Sequence, residues 1–304
     1  MTKHVAVLMG GWSVEREVSL VSGAAVAQAL AEQDCRVSKV DVGRDIAARL
    51  AELEPDVAFN ALHGRYGEDG CVQGLLEVMG IPYTHSGVLA SALAMNKPLA
   101  KEIFHNAGII CPEGVVIRLD ALAPGKPWAP PIVIKPLNEG SSVGVRIILE
   151  GENWTEEELA EWSYGDDVLI ERFIPGREIQ VAVMGERALG AIEIRPKGRF
   201  YDYDTKYTEG MAEHVMPAPL AEADYAEALR ISLLAHKTLG CRGVTRADLR
   251  YDDTNRTPGR FYLLEVNTQP GMTPLSLVPE IAAHAGISFG ELVASLVEEA
   301  RCDG

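Results

Sequence analysis

Apolar residues follow two alternating spacings in the first part of the chain. Short and mainly apolar runs indicate strands, and stretches with apolar residues near every third or fourth position indicate helices. The pattern predicts strands at 4–9, 36–42, 56–62 and 81–84 and helices at 15–32 and 71–80. Because strands and helices alternate, this part of the chain is expected to form a parallel α/β unit.

The remainder of the chain is richer in strands. Between Ser86 and Ala107 the residues favour helix, with Asn96 placed to cap a second helical segment and Gly108 placed to end it. The polar, tyrosine-rich stretch 197–219 shows neither period and is expected to be a long loop. Further strands are predicted at 131–137, 144–150, 167–174, 177–185, 187–196, 243–252 and 260–267, and further helices at 155–162, 222–239 and near the C-terminus. The strands 177–185 and 187–196, joined by a tight turn, are expected to pair antiparallel.

Composition and charge narrow the possible partners. The formal charge of −16 opposes a phosphate backbone or an anionic lipid surface, so neither nucleic acid nor a membrane is expected as a partner. No apolar run reaches the roughly 18 residues of a membrane span. The five cysteines are widely spread without a C-x-x-C pair, which favours a reducing cytoplasm and indicates no zinc site.

The stretch 134–145, IKPLNEGSSVGV, places Lys135 at the end of a strand and before a Gly/Ser loop. Glycine permits backbone conformations that turn successive amides toward an anion. Lys135 would then contact a polyphosphate while Ser141, Ser142 and nearby N–H groups bond around it. The sequence lacks a G-x-x-x-x-G-K-[ST] segment, which excludes a P-loop NTPase. A plain surface hairpin with a solvated lysine is the alternative interpretation.

Two predicted strands carry polar residues two positions apart. Arg246 and Asp248 lie on one strand, and Glu265 and Asn267 lie on the other. Residues at i and i+2 share one face of a strand, so adjacent strands would present all four side chains together. Oxygen donors without imidazole or thiolate suit magnesium shared with nucleotide phosphates. An ordinary sheet with polar residues facing water is the alternative.

Three single residues also suggest ligand binding. Glu15 follows the first predicted strand, at the end where open α/β sheets bind ligands, and would hold an ammonium group there. His63 lies between a strand end and a Gly-rich turn. Lys97 is placed at a helix start, where the dipole disfavours a cation unless an anion is near. The alternatives are a solvated acid for Glu15 and a structural histidine for His63.

Several long segments together resemble one family. The chain is similar, from end to end, to D-alanine–D-alanine ligases of the ATP-grasp superfamily. The segments that carry the resemblance are GGWSVEREVS, ALHGRYGEDG, IVIKPLNEGSSVGV, FYDYDTKY, TRADLRYD and FYLLEVNTQPGMTPLSLVP. The resemblance implies a three-domain α/β ATP-grasp fold divided at 1–86, 87–176 and 177–304, with a lid loop at about 198–216 in the last. It also implies ATP as co-substrate, two Mg²⁺ or Mn²⁺ ions, and D-alanyl-D-alanine made for peptidoglycan.

The same resemblance assigns roles to individual residues. ATP contacts are implied for Lys97, Lys135, Glu171, Ile174, Glu178 and Lys206, with Glu171, Ile174 and Glu178 forming the hinge that receives adenine and ribose. Metal ligands are implied at Asp248, Glu265 and Asn267. A hydrogen-bonded trio of Glu15, Ser141 and Tyr207 would lie beside the substrates, with Glu15 on the first D-alanine's ammonium. Arg246 and the Gly271 N–H would hold an oxyanion, and His63, Ser276 and Leu277 would line the amino-acid pocket.

Two other functions are considered beside this one. A D-alanyl-D-lactate ligase, or another ATP-grasp carboxylate-amine ligase, would keep the fold and change the acceptor. A nucleotide-binding regulatory protein would not turn over, but such a protein has no need of both an oxyanion clamp and metal ligands. A homodimer is the expected oligomeric state.

Overall fold

The computed structural model describes residues 2–122, 128–155, 161–198 and 210–303. These ranges form a three-stranded, a four-stranded and a five-stranded β-sheet with helices packed around them. We refer to the parts of the chain built on these sheets as the N-terminal, central and C-terminal units.

The N-terminal sheet is fully parallel, in the order β2-β1-β3. All six residues of the central strand β1 are buried, as expected for a strand with a neighbour on each side and helices against the sheet. The predicted parallel α/β unit is therefore confirmed. Its elements are β1 (His4–Met9), β2 (Arg36–Asp41), β3 (Val57–Asn60), α1 (Arg16–Ala31), α2 (Ile46–Leu53) and α3 (Cys71–Met79).

The strand predicted at 81–84 is wrong. Only Tyr83 pairs there, in isolated bridges to Ala58 and Arg301. The chain turns away at His85, whose φ of 68° is incompatible with an extended strand. Pairing on this segment is therefore limited to one residue, Tyr83.

The central sheet is antiparallel in the order β4-β7-β5-β6. Alternating isoleucine and valine side chains of its inner strands bury a small core against Trp128, Trp154 and Trp162. The strands are β4 (Gly114–Arg118), β5 (Ile132–Lys135), β6 (Arg146–Ile148) and β7 (Asp167–Arg172). The edge strand β4 was not predicted, because none of its residues is fully buried. The helix predicted at 155–162 falls largely outside the described residues.

The C-terminal sheet has the order β10-β9-β8-β11-β12. Its strands are β8 (Arg177–Met184), β9 (Arg187–Pro196), β10 (Ala212–Val215), β11 (Val244–Asp252) and β12 (Arg260–Asn267). The predicted antiparallel pairing of β8 with β9 is confirmed. Strand β10 corrects the expectation of a continuous loop over 197–219, since Ala212–Val215 pair with the edge of β9. Four residues are too few to show a period.

Helices α4 (Val88–Met95) and α5 (Lys97–Asn106) follow the N-terminal unit. The Asn96 side chain accepts a hydrogen bond from the Leu99 N–H at 3.2 Å, which confirms the predicted cap. Both helices pack against the C-terminal sheet, and Phe104 is buried in the same core as Leu263. The two helices therefore pack mainly on the C-terminal sheet, and Lys101 of α5 also contacts Glu171 of the central sheet.

The remaining helices are α6 (Glu222–Thr238), α7 (Leu277–His284) and α8 (Phe289–Glu298). In the described part of the chain, no single helix is long and apolar enough to cross a membrane. The pair α7 and α8, bent by 103°, passes that test together by length and composition only. Both helices bury apolar residues in the core shared by the N-terminal and C-terminal units.

Candidate active site

The register of β11 and β12 gathers four polar side chains on one face of the C-terminal sheet. Asp248 lies directly opposite Glu265, and Arg246 lies opposite Asn267. Cross-strand partners and i, i+2 neighbours share a face, so the arrangement expected from the spacing is present. Arg246 donates two hydrogen bonds to Asp248, at 2.7 and 2.9 Å, in the bidentate geometry typical of a guanidinium and a carboxylate.

Lys97 brings a cation to this face from another element. It is the first residue of α5, and its Nζ lies 3.3 Å from a Glu265 oxygen. The same ammonium donates to the backbone carbonyl of Glu139 at 2.5 Å. In the structure Glu265 and this carbonyl therefore offset the unfavourable dipole at the helix start. The carboxyl of Glu139 itself has a raised pKa, because burial disfavours its charge more than Lys97 and Arg65 favour it.

Glu171 of the central sheet is held between two lysines, Lys135 of β5 and Lys101 of α5. Its side chain is 2% exposed, accepts a hydrogen bond from Lys135 at 2.7 Å and forms a very short contact with Lys101. Burial alone would favour the neutral carboxyl, but the charges and hydrogen bonds of Lys135 and Lys101 outweigh it and lower the pKa of Glu171. Glu171 is therefore a buried anion with two cationic partners.

A cavity of about 370 Å³ opens between the central and C-terminal sheets. Apolar side chains such as Val133, Phe173 and Leu264 form part of its wall, and lysines, arginines and carboxylates form most of the rest. Such a lining suits a ligand with an apolar ring at one end and a strongly anionic group at the other. Seven residues with predicted nucleotide or metal roles line this cavity: Lys97, Lys135, Glu171, Ile174, Glu178, Asp248 and Glu265.

A second group of polar residues lies where the N-terminal unit meets the loop after β5. Glu15, at the start of α1, is 4% exposed and accepts a very short hydrogen bond from the Ser141 hydroxyl. The loop adopts left-handed backbone conformations at Ser141, Ser142 and Gly144, with φ of 49°, 61° and 71°. Non-glycine residues rarely adopt this region, so the loop is strained there.

His63 lies in the same buried region, with a partner on each ring nitrogen. Its Nδ1 is 3.3 Å from a Glu68 oxygen, and its Nε2 is 3.2 Å from the Ser22 hydroxyl. Burial disfavours the imidazolium, yet the hydrogen bond and charge of Glu68 and the charge of Glu15 raise the pKa of His63 above its ordinary value. The carboxylates around it therefore favour a protonated ring.

The loop after β12 carries the three remaining predicted residues. A Cβ at Gly271 would lie 2.7 Å from the Ser276 hydroxyl, so this position requires glycine unless the serine moves. The Ser276 hydroxyl accepts a hydrogen bond from the Thr273 N–H at 2.9 Å, which fixes the turn before α7. Leu277 begins α7 and is buried in the core, 5% exposed. Its side chain therefore belongs to the core shared by the N-terminal and C-terminal units.

Some predicted site residues lie outside the described part of the chain, and two residues of the site were not predicted from the sequence. Lys206, Tyr207 and most of the predicted lid, 198–216, fall outside the described residues. Lys101 and Glu68 were not singled out from the sequence. Lys101 follows Lys97 by four positions and so shares its helix face, a signal that was present. The contact of Glu68 with His63 depends on how the loop at 63–69 folds, which no local pattern specifies.

The parallel unit, the two antiparallel sheets and the cavity between them define an ATP-grasp enzyme. A crystal structure of D-alanine–D-alanine ligase from Bacillus anthracis complexed with ATP superposes with a TM-score of 0.81 and 29% identity, covering 98% of this chain and 97% of that one. Family models described as D-ala D-ala ligase N-terminus and C-terminus match residues 43–86 and 126–298. The chain belongs to the D-alanine–D-alanine ligase family.

Relatives named D-alanine–D-alanine ligase are also similar over the full length. The protein from Parvibaculum lavamentivorans is 58% identical over 303 residues, covering 99% of this chain and 98% of the relative. The protein from Methylocella silvestris is 57% identical over 306 residues, covering both chains completely. The likeness therefore includes the N-terminal unit, the cavity and the loop after β12.

Proposed function

We propose that this protein joins two molecules of D-alanine into D-alanyl-D-alanine, converting one ATP to ADP and phosphate and releasing one proton. The observation that carries the proposal is the convergence of Lys97, Lys135, Asp248 and Glu265 on a single cavity. The full-length relatives with this activity in their names support the same conclusion. The product is a building block for peptidoglycan, and cytoplasmic ATP supplies the energy.

ATP is required because a carboxylate is a poor acyl donor. A carboxylate oxygen of the first D-alanine attacks the γ-phosphorus, a new P–O bond forms, and the bond to ADP breaks. Lys97 and Lys135 would stabilise the negative charge of the transferring phosphoryl group. In this proposal the apolar wall and Glu171, Ile174 and Glu178 receive adenine and ribose, with Lys206 as a further phosphate contact.

The residues at the β11–β12 face fit a magnesium or manganese site. Among the described residues there is no cluster of three or more His, Cys, Asp and Glu side chains that would hold an ion without other ligands. Asp248, Glu265 and Asn267 supply two carboxylates and one amide, and nucleotide phosphates and water would complete the coordination. When bound, the ions would neutralise phosphate charge. We propose two ions, the number that the resemblance to the ligase family implies.

The second step forms the peptide bond. The amine nitrogen of the second D-alanine, having lost a proton, attacks the acyl phosphate carbon, and phosphate leaves as the tetrahedral species collapses. The Arg246 guanidinium and the Gly271 N–H would stabilise the oxyanion of that species. In the described part of the chain no acceptor is bonded to the Gly271 N–H, so the donor is available for this role.

The amino-acid sites lie on the N-terminal side of the cavity in this proposal. Glu15 would bind the ammonium of the first D-alanine, and Ser141 and Tyr207 would fix the Glu15 carboxylate. His63, Ser276 and Leu277 would line the amino-acid pocket. Acyl phosphates hydrolyse readily, so we expect the lid at 198–216 to exclude water during the reaction.

The test couples ADP release to added D-alanine and identifies the product by mass spectrometry. We expect D-alanine-dependent ADP formation and stoichiometric D-alanyl-D-alanine. With D-alanine and D-lactate offered together near neutral pH, we expect the dipeptide in large excess. ATP binding without turnover would support a regulatory protein, and predominant D-alanyl-D-lactate would support the depsipeptide ligase.

We also propose a cytoplasmic homodimer without a nucleic-acid or membrane partner. Five free cysteines support the cytoplasm, a charge of −16 supports the absence of nucleic-acid and anionic-lipid partners, and the dimer is the commonest homo-oligomer. Light scattering during size-exclusion chromatography tests it, with a dimer mass expected. A monomer mass would contradict the proposed oligomeric state and leave the proposed reaction unaffected.

A further inference from the structure

The segment that carries Gly271 is attached to the N-terminal unit on both sides of that glycine. We call residues 268–273 the Gly271 loop. Two residues before the glycine, Gln269 is 1% exposed, and its side chain accepts a hydrogen bond from Asn60 at 2.5 Å and donates a very short one to the carbonyl of Leu62. One residue after it, the Met272 N–H donates to the Ser22 hydroxyl at 3.2 Å.

The same two attachments reach the proposed amino-acid and metal sites. The Ser22 hydroxyl also contacts His63 Nε2, so one oxygen joins the Gly271 loop to a residue of the amino-acid pocket. The Gln269 N–H donates to the Asn267 side chain at 2.7 Å. The loop is therefore connected to the N-terminal unit through side chains and to a proposed metal ligand through its backbone.

We propose that Ser22 and Gln269 are positioning residues that fix the Gly271 N–H relative to the amino-acid pocket. The inference rests on the proposed function, since it gives a role to a donor needed only when the acyl phosphate is attacked. Oxyanion stabilisation depends on a donor held in place before charge develops, and small displacements weaken it strongly. Pro270 lacks an N–H, so Gly271 and Met272 supply the first amides after Gln269, and Ser22 occupies the second.

The test separates the two chemical steps. Exchange of ¹⁸O between the bridging and non-bridging positions of ATP reports reversible acyl phosphate formation, and dipeptide release reports the whole reaction. Ser22→Ala and Gln269→Met should each lower the kcat of ligation by about tenfold, as expected for the loss of one or two buried hydrogen bonds that act on a transition-state donor. The rate of positional exchange should stay within about twofold of the wild type, because the Gly271 N–H is needed only after the acyl phosphate has formed.

Ser19→Ala is the matched control for Ser22→Ala. Ser19 lies one turn earlier on α1, is equally buried, accepts from the Gly10 N–H at 2.8 Å and donates to the Ala61 carbonyl at 2.7 Å. Both of its partners belong to the N-terminal unit. Ser19→Ala should lower the melting temperature comparably and leave ligation close to wild type.

Gln269→Met separates loop positioning from an effect on the His63 ring, because the two ring nitrogens of His63 bond to Ser22 and Glu68 and not to Gln269. If only Ser22→Ala slows ligation, Ser22 acts through His63 and the inference is wrong. Ligation at wild-type rates in both variants, or an equal loss of exchange and ligation, would also overturn it. A wild-type protein without exchange or ligation would instead contradict the proposed function.

Discussion

The Ser141 hydroxyl donates a hydrogen bond to the carboxylate of Glu15, which lies 126 positions earlier in the chain. Glu15 starts α1 of the N-terminal unit, and Ser141 belongs to the loop after β5 of the central unit. Its neighbour Ser142 lines the cavity between the central and C-terminal sheets. Adjacent serines thus contact different parts of the proposed site.

The separate contacts of Ser141 and Ser142 predict different effects when each serine is replaced by alanine. Ser141→Ala should raise the KM for D-alanine by roughly 30-fold, because a hydrogen bond to a charged group contributes about 2 kcal/mol. It should leave ATP affinity nearly unchanged. Ser142→Ala should weaken ATP binding and leave the KM for D-alanine nearly unchanged. Steady-state kinetics and calorimetry measure both quantities, and equal effects of the two variants would contradict separate roles.

Lys135→Ala should weaken ATP binding by about tenfold or more, since its proposed partner is a phosphate and charge-assisted contacts are strong. Recognition of D-alanine should remain largely intact. Lys101→Met is the control, because Lys101 contacts the same Glu171 carboxylate and does not line the cavity. Calorimetric titration with ATP measures the affinity. A similar loss in both variants would mean that Lys135 acts only through Glu171.

Glu265→Gln should preserve the fold and reduce turnover by at least 100-fold, because a neutral amide balances metal and phosphate charge poorly. Asp252→Asn is a matched control on the neighbouring strand, since Asp252 lies opposite Arg260 at the far end of the β11–β12 ladder. ADP formation across a magnesium titration measures the effect. Near-normal turnover in a folded Glu265→Gln protein would contradict the metal role.

Features that depend on local order were predictable from the sequence. The alternation of short strands and helices defined the parallel unit, and the tight turn between β8 and β9 defined an antiparallel pair. The i, i+2 spacing placed Asp248 with Arg246 on one face. What the spacing did not specify was the register that sets Asp248 opposite Glu265, which depends on how two strands pair.

Contacts between distant segments were beyond local patterns. Lys101 and Glu171 are 70 positions apart, and Asn60 and Gln269 are 209 apart. Neither pair leaves a periodic trace in the sequence, because each depends on how separate sheets are brought together. Strand β10 was missed for a different reason, since a short edge strand with partly exposed residues has no strong alternation. Motif resemblance supplied residue roles that physical spacing alone left open.

A buried histidine predicts how stability changes with pH. His236 is 1% exposed, its Nδ1 lies 2.8 Å from the Thr245 hydroxyl, and burial lowers its pKa from 6.5 to about 4. Between those pH values the unfolded chain binds a proton that the folded protein does not bind. The contribution of His236 to the free energy of unfolding should therefore be fully retained above pH 6.5 and should decrease as the pH falls toward 4.

His236→Gln should make that decrease shallower, because glutamine does not titrate and retains hydrogen-bonding capacity toward Thr245. The variant should be about 1 kcal/mol less stable than wild type near neutral pH, because glutamine reproduces the buried hydrogen bond to Thr245 imperfectly. The difference in stability should narrow or reverse at acidic pH. His85, whose pKa is lowered to about 3 by burial and by the charge of His63, contributes in the same direction and remains in the variant. Urea unfolding from pH 7.5 to 4.5 measures the effect, with the exposed His284→Gln as control. Parallel curves for wild type and His236→Gln would show that His236 is already protonated, or equally hydrated, in the folded protein.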